Sequence, residues 1–265
     1  NLQAIKHNIG EIKKLLAPAV KLMAVVKANA YGHGAIAVAR AAVEAGADHL
    51  AVANLKEGLE IREAGITSPI LILTESPTSV TDEIVQYNFT QTIYSFTEAK
   101  ALSEEAQKRH KIAAVHVKVD TGMARVGVAP SEAAAFIAKI SSLPNLQIEG
   151  LFTHFAKAED QQDPFTQKQF ERFQRVAQRV PQIKIKHAAN SAALLFYPNT
   201  QLDMVRVGLM MYGLYPPGNS RRLINLQPAL AFRSRVTYLK RVPAGTPVSY
   251  GCTYVTPKET NLATI

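Results

Sequence analysis

Leu22-Met-Ala-Val-Val-Lys-Ala-Asn-Ala-Tyr-Gly-His-Gly34 runs an apolar stretch into a lysine and then into a glycine-rich turn. The apolar part reads as a buried strand. No Gly-x-Gly-x-x-Gly loop follows it, which speaks against an open doubly wound sheet. Outward from this segment the same unit recurs, a short apolar run and then an amphipathic helical stretch. Eight apolar runs can be followed: Leu22–Lys27, His49–Ala53, Ile70–Leu73, Gln91–Tyr94, Ala113–Val119, Gln147–Thr153, Ile183–His187 and Leu202–Val207. Eight βα units predict an α/β fold with a closed (β/α)8 TIM-type barrel. Helix starts are marked by Asn54 with Glu57, Ser95 with Glu98, and Asp163 before Pro164, each able to satisfy free N–H groups or preset a first turn. Phe170, Phe173, Val176, Ala177 and Val180 fall on one helical stripe, as core against a barrel wall. Residues 1–226 are read as the barrel. Residues 227–265 alternate strand-like runs with Pro-Ala-Gly and Thr-Pro turns and are read as the opening strands of a C-terminal β domain.

The formal net charge is +9, yet Lys and Arg are scattered over the helical stretches without long runs, so nucleic acid is not an expected partner. The balance suits small anionic ligands drawn to an electropositive cleft. Cys252 is the sole cysteine, so no intramolecular disulfide can form and a cytoplasmic location fits best. No apolar run reaches 18 residues and no leader pattern is visible, so no membrane association is expected. No metal site is expected either.

In such a barrel, reactive groups gather where strands end and loops begin. Lys27 closes the first run, Asp120 and Arg125 follow the fifth, His154 follows the sixth, Asn190 and Ser191 follow the seventh, and Arg206 lies near the end of the eighth. Burial at the barrel mouth would lower the Lys27 pKa and make its amine a Schiff-base nucleophile. A strand-end lysine reaching solvent is the plainer use. Plainer uses exist for the others too: Arg206 pairing with a surface carboxylate, Ser191 capping a helix, Gly208 serving a turn, His154 satisfied at the rim. Strand alternation places His116, Lys118 and Asp120 on one face and Val115, Val117 and Val119 on the other, so the polar face looks into the barrel. There Lys118 would stand beside Arg125. That repulsion calls for compensation, and pairing with Asp120 is the ordinary means.

The string Ala24 to Gly34 is followed in order by Lys118-Val-Asp-Thr-Gly-Met-Ala-Arg-Val-Gly127, Thr153-His-Phe-Ala156, Asn190-Ser-Ala192, Arg206-Val-Gly208, Tyr212-Gly213 and Ser249-Tyr-Gly251. These segments resemble the motifs of bacterial alanine racemases over essentially the full chain. The resemblance implies that pyridoxal 5'-phosphate is held at Lys27 as a Schiff base, with Lys27 also one of two catalytic bases. It places Arg206 against the pyridine nitrogen; because an arginine does not readily give up a proton, the nitrogen stays unprotonated and racemisation is favoured over transamination. Ser191, Gly208, Leu209 and the Tyr31 hydroxyl are implied at the phosphate, and His154 and Asn190 beside the cofactor. Arg125 is implied to hold the ring hydroxyl and the substrate carboxylate, and Lys118 to be carbamylated.

The activity so implied is interconversion of L-alanine and D-alanine, supplying D-alanine for peptidoglycan, by a homodimer. Two-base racemisation needs a proton acceptor on each face of the α-carbon. In the family the second is a tyrosine of a Gly-Tyr-Ala-Asp-Gly motif from the opposite subunit's β domain. That motif is not found in residues 1–265, and neither Tyr250 nor Tyr254 matches it. The expectation is a chain truncated just before the motif, which binds cofactor better than it racemises. A racemase of serine, lysine or arginine is the alternative within enzymes. A non-catalytic barrel that carries pyridoxal phosphate is the alternative outside them, and the strand-like continuation past Leu230 speaks against it.

Overall fold

Eight parallel strands close on themselves in chain order. They are β1 (Lys21–Val25), β2 (His49–Val52), β3 (Ile70–Ile72), β4 (Thr90–Ile93), β5 (Ala113–Lys118), β6 (Leu146–Phe152), β7 (Ile185–His187) and β8 (Met204–Val207). The ring shuts where Leu22 pairs with Val205 and Ala24 with Val207. Each of the eight apolar runs overlaps a strand, with ends shifted by at most two residues. The seventh and eighth start later than their runs. Ile183 is still in a turn, its N–H on the Val180 carbonyl, and Leu202 takes a left-handed φ of 52°, which breaks the extended run before β8. The computed structural model describes all residues 1–265, in two units, Asn1–Ala229 and Leu230–Ile265.

The helix starts follow local chemistry. Asn54 Oδ1 accepts from the Glu57 N–H at 3.1 Å and opens the helix Leu55–Glu63. The Ser95 hydroxyl accepts from Glu98 N–H and donates to its carboxylate, opening Phe96–Lys108. Asp163 accepts from Phe165 N–H at 2.8 Å at the head of Phe165–Arg179. In that helix Phe170, Phe173 and Val176 are buried, as is Val180 just beyond it, each large apolar side chain contributing roughly 1.5–3 kcal/mol.

The barrel interior divides by composition. Met23, Val25, Ala51, Leu71 and Met204 form an apolar cluster of their own. The remaining inward positions include polar ones, all buried: His116 and Lys118 on β5, His187 on β7 and, beside Met23, Arg206 on β8. The valines that alternate with them on β5 join the larger core outside the barrel. In the second unit, β9 (Tyr238–Val242) pairs antiparallel with β12 (Thr260–Thr264), and β10 (Pro247–Val248) with β11 (Tyr254–Val255).

Candidate active site

The first strand stops earlier than its sequence suggests. Val26 N–H makes the last ladder bond, to Ala51 O at 2.8 Å. Lys27 therefore does not close β1 but opens the turn after it. It is also only partly buried, not sequestered. Ala28, Asn29, Ala30 and Tyr31 then take left-handed φ values of 53°, 51°, 53° and 52°, a conformation that costs about 1–2 kcal/mol per L-residue. Asn29 tolerates it through its side-chain bond to Ala35 N–H, the alanines present only a Cβ, and Gly32 ends the turn at φ 84°.

What holds the turn is Glu57. Its Oε1 accepts from Ala28 N–H at 2.8 Å and its Oε2 from Ala53 N–H at 2.7 Å, so one carboxylate ties the lysine loop to the loop after β2. Asn29 Oδ1 adds a bond from Ala35 N–H. Read from sequence, Glu57 is a capping residue; its second task is visible only once the two loops are adjacent. Glu57→Ala is expected to lower unfolding stability by about 1–3 kcal/mol, from the loss of two hydrogen bonds to a charged carboxylate beside a strained turn. Chemical denaturation checks this, and a change below a few tenths of a kcal/mol would remove Glu57 from the account.

All ten site residues expected from sequence line one cavity of about 590 Å³ at the C-terminal end of the barrel. Lys27 and Tyr31 come from the first loop, Lys118 and Arg125 from β5 and its loop, and His154 from the residues after β6. Asn190 and Ser191 come after β7, and Arg206, Gly208 and Leu209 from β8 and beyond. Four lining residues are cationic, Lys27, Lys118, Arg125 and Arg206, against the single acid Glu159. A cavity with this balance attracts anions.

Arg206 is 4% exposed and pairs with no carboxylate. Its Nη1 lies 2.9 Å from His187 Nδ1, and its Nη2 faces Thr153 O at 2.7 Å, Ala188 O at 3.1 Å and His154 Nδ1 at 3.2 Å. The surface ion pair open at the sequence level is thereby excluded. Burial draws the guanidinium down to about 9, and its four acceptors favour the charged form. Arginine has only donors to offer, so His154 Nδ1 accepts. Burial, then Arg206, holds the His154 imidazole neutral with a pKa pulled to about 3.

Lys118 is 4% exposed, its ammonium 5.7 Å from the Phe152 ring centre. Pairing with Asp120 does not occur. That carboxylate accepts from Gly122 and Ala124 N–H groups and shapes the loop. Burial first, then Arg125 and Arg206, lower the Lys118 amine to about 8. Arg125 is exposed, next to the left-handed Ala124.

Helix capping after β7 falls to Asn190, not Ser191. Asn190 Oδ1 accepts from Ala193 N–H at 3.0 Å. Ser191 Oγ is turned to Gly208 N–H at 3.2 Å. A Cβ at Gly208 would lie 2.8 Å from the Tyr31 hydroxyl, so the phenol would have to shift to admit one. Tyr31, Ser191 and Gly208 thus form a small cradle with two hydroxyls. A further buried tyrosine, Tyr212, fixes the end of β1 through its hydroxyl on Val25 O. His187 was absent from the sequence reading of the site. Its one signal is an inward position near the end of β7.

Residues 1–216 match the family model of the alanine racemase N-terminal domain, and residues 229–265 that of the C-terminal domain. An alanine racemase of Desulforamulus reducens is 47% identical over 272 residues, covering all of this chain and 73% of the relative. Among solved structures, an alanine racemase of Clostridium difficile is similar with a TM-score of 0.89 and 37% identity, covering 99% of this chain and 70% of that one. A histidine racemase of Leuconostoc mesenteroides is similar with a TM-score of 0.82 and 29% identity, covering 99% and 71%. On these matches, and on a closed eight-stranded barrel followed by antiparallel β strands, the chain belongs to the alanine racemase family.

Proposed function

We propose that the protein is a pyridoxal-phosphate-dependent isomerase that interconverts L-alanine and D-alanine, with residues 1–226 as the cofactor-binding barrel and 227–265 as the opening strands of a β domain. The observation that carries this is one cationic cavity that holds Lys27 together with a buried guanidinium, Arg206, whose partners are all uncharged acceptors. When bound, the cofactor supplies a carbonyl that condenses with an amine and a ring that takes up the electron pair left when the α-proton departs. The donor set fits it: an amine at Lys27, and two hydroxyls, Tyr31 and Ser191, around the Gly208 gap, with the Leu209 loop beside them for the phosphate.

The chain's residues have distinct tasks. Lys27 anchors the cofactor and moves the α-proton on one face of the substrate. Arg206 presents only donors to a ring nitrogen, which leaves that nitrogen unprotonated and steers the proton back to the α-carbon. Neutral His154, its Nδ1 fixed by Arg206, supports the ring beside Asn190. The exposed Arg125 fork suits a carboxylate. The opposite face of the α-carbon requires a second base; in a homodimer the family's Gly-Tyr-Ala-Asp-Gly tyrosine would supply it from the partner's β domain, and that motif is not among residues 1–265. One free, exposed cysteine accords with a cytoplasmic setting.

Lys118 is assigned a carbamate. A neutral amine adds to carbon dioxide, forming the N–C bond and releasing one proton, and the anion so made can pair with Arg125. In CO2-free buffer, the unmodified lysine is charged below pH 8 in both folded and unfolded chains. Between pH 8 and about 10.4 the folded chain has lost a proton that the unfolded chain keeps, so stability rises with pH across that window. Bicarbonate is expected to flatten this rise and, when 13C-labelled, to give a carbamate signal that Lys118→Met abolishes. An unchanged slope and no signal would contradict the carbamate.

Borohydride reduction of the cofactor-loaded protein followed by peptide mapping tests the reading. Label on Lys27 supports it, and label elsewhere with Lys27 unmodified overturns it. Racemisation rates across alanine, serine, lysine, arginine and histidine then decide the substrate, with alanine expected fastest.

A further inference from the structure

Behind Arg206, inside the barrel, two more buried side chains continue its hydrogen bonding. His187 accepts at Nδ1 from Arg206, and its Nε2 lies 2.9 Å from His116 Nδ1. His187 and His116 are 0% and 1% exposed. Because arginine can only donate, His187 Nδ1 carries no proton. Burial and the Arg206 charge hold both imidazoles neutral: His116 is pulled to about 3 and His187 is pushed well below its ordinary value. A neutral His187 therefore keeps its proton on Nε2 and donates it to His116 Nδ1. One obligate donor thus sets both tautomers in sequence.

The surrounding chain makes room for this arrangement. The β5–β6 register shifts between Val115 and His116. Opposite the shift stands Gly150, where a Cβ would come within 2.6 Å of the His116 ring. The Phe152 ring stacks on His187 at 4.8 Å and 8°, so His187 is held in its plane while its edges make the two bonds.

We propose that His116 is a positioning residue for Arg206, acting through the tautomer of His187. Without an acceptor at the His116 position, the Nε2–H form that Arg206 selects leaves a fully buried donor without its partner, and that cost weighs against it. In the other form, Nδ1–H opposes the Arg206 donor, and the guanidinium loses one of the bonds that fix its plane. The consequence at the cofactor rests on the function proposed above. The relay itself does not.

The test compares His116→Leu, which removes the acceptor, with His116→Asn, whose Oδ1 takes the place of Nδ1. His116→Gln sets its carbonyl at the Nε2 position instead and substitutes for the leucine variant if that fails to fold. In cofactor-free protein with 15N-labelled imidazoles, His187 is expected in the Nε2–H form in the parent and His116→Asn, and in a mixture or the Nδ1–H form in His116→Leu or His116→Gln. In the loaded protein, losing the acceptor is expected to lower kcat about tenfold, the worth of one net hydrogen bond, and to raise keto-acid formation relative to racemisation, with His116→Asn restoring both. A purely structural role would lower thermal stability in all the variants without this split. Unchanged His187 tautomer in His116→Leu or His116→Gln overturns the proposal. A shifted tautomer with an unchanged product ratio supports the relay and overturns the assignment of Arg206 to the ring nitrogen.

Discussion

Lys27→Ala is expected to lower alanine racemisation by about 10^4-fold, the upper end of the range for one acid–base group, because the same amine also anchors the cofactor. The loss is chemical and not structural. Lys27 is only partly buried, at the start of a turn held by Glu57 and Asn29, so cofactor-free stability is expected to stay within about 0.5 kcal/mol of the parent. Steady-state assay, borohydride labelling and thermal unfolding without added cofactor check the three parts. Parent-level turnover in this variant would remove Lys27 from the mechanism.

Arg206→Glu is expected to change the kind of product as well as its rate. A carboxylate can share a proton with a pyridine nitrogen, which makes the ring a stronger electron sink and lets protonation occur at the wrong carbon. The ratio of keto acid to racemised alanine is expected to rise by about tenfold or more while racemisation falls. The substitution also leaves the Thr153 and Ala188 carbonyls without their donor and puts the opposite charge into a buried site, a loss of about 3–5 kcal/mol. The ratio is therefore measured on protein shown by circular dichroism to be folded. An unchanged ratio with cofactor bound would count against Arg206 as the residue at the ring.

The barrel was legible in the sequence because each strand is a short apolar run followed by a helical period and several helices carry their own caps. The inward polar face of β5 was legible for the same reason, since alternation alone separates His116 and Lys118 from the valines. Three features were not. The left-handed turn from Ala28 to Tyr31 runs against the preference of its two alanines and its tyrosine, and it depends on Glu57, which lies in the helix after β2. The Arg206 environment comes from β6 and β7, so the surface ion pair stayed open until His187, Thr153 and Ala188 were seen around it. The cap after β7 stayed open between Asn190 and Ser191 because it depends on which side chain is free to turn inward; Gly208 N–H engages Ser191 and leaves the cap to Asn190.

Two-base racemisation is put to the test by incubating a cofactor-loaded form that carries the Gly-Tyr-Ala-Asp-Gly motif with L-alanine in deuterated water and following both enantiomers and the α-deuterium. The account predicts D-alanine approaching an equal mixture, with a solvent deuteron at the α-carbon of each molecule converted. Cofactor bound at Lys27 with no D-alanine and no α-exchange would contradict it and would make the barrel a carrier of its cofactor.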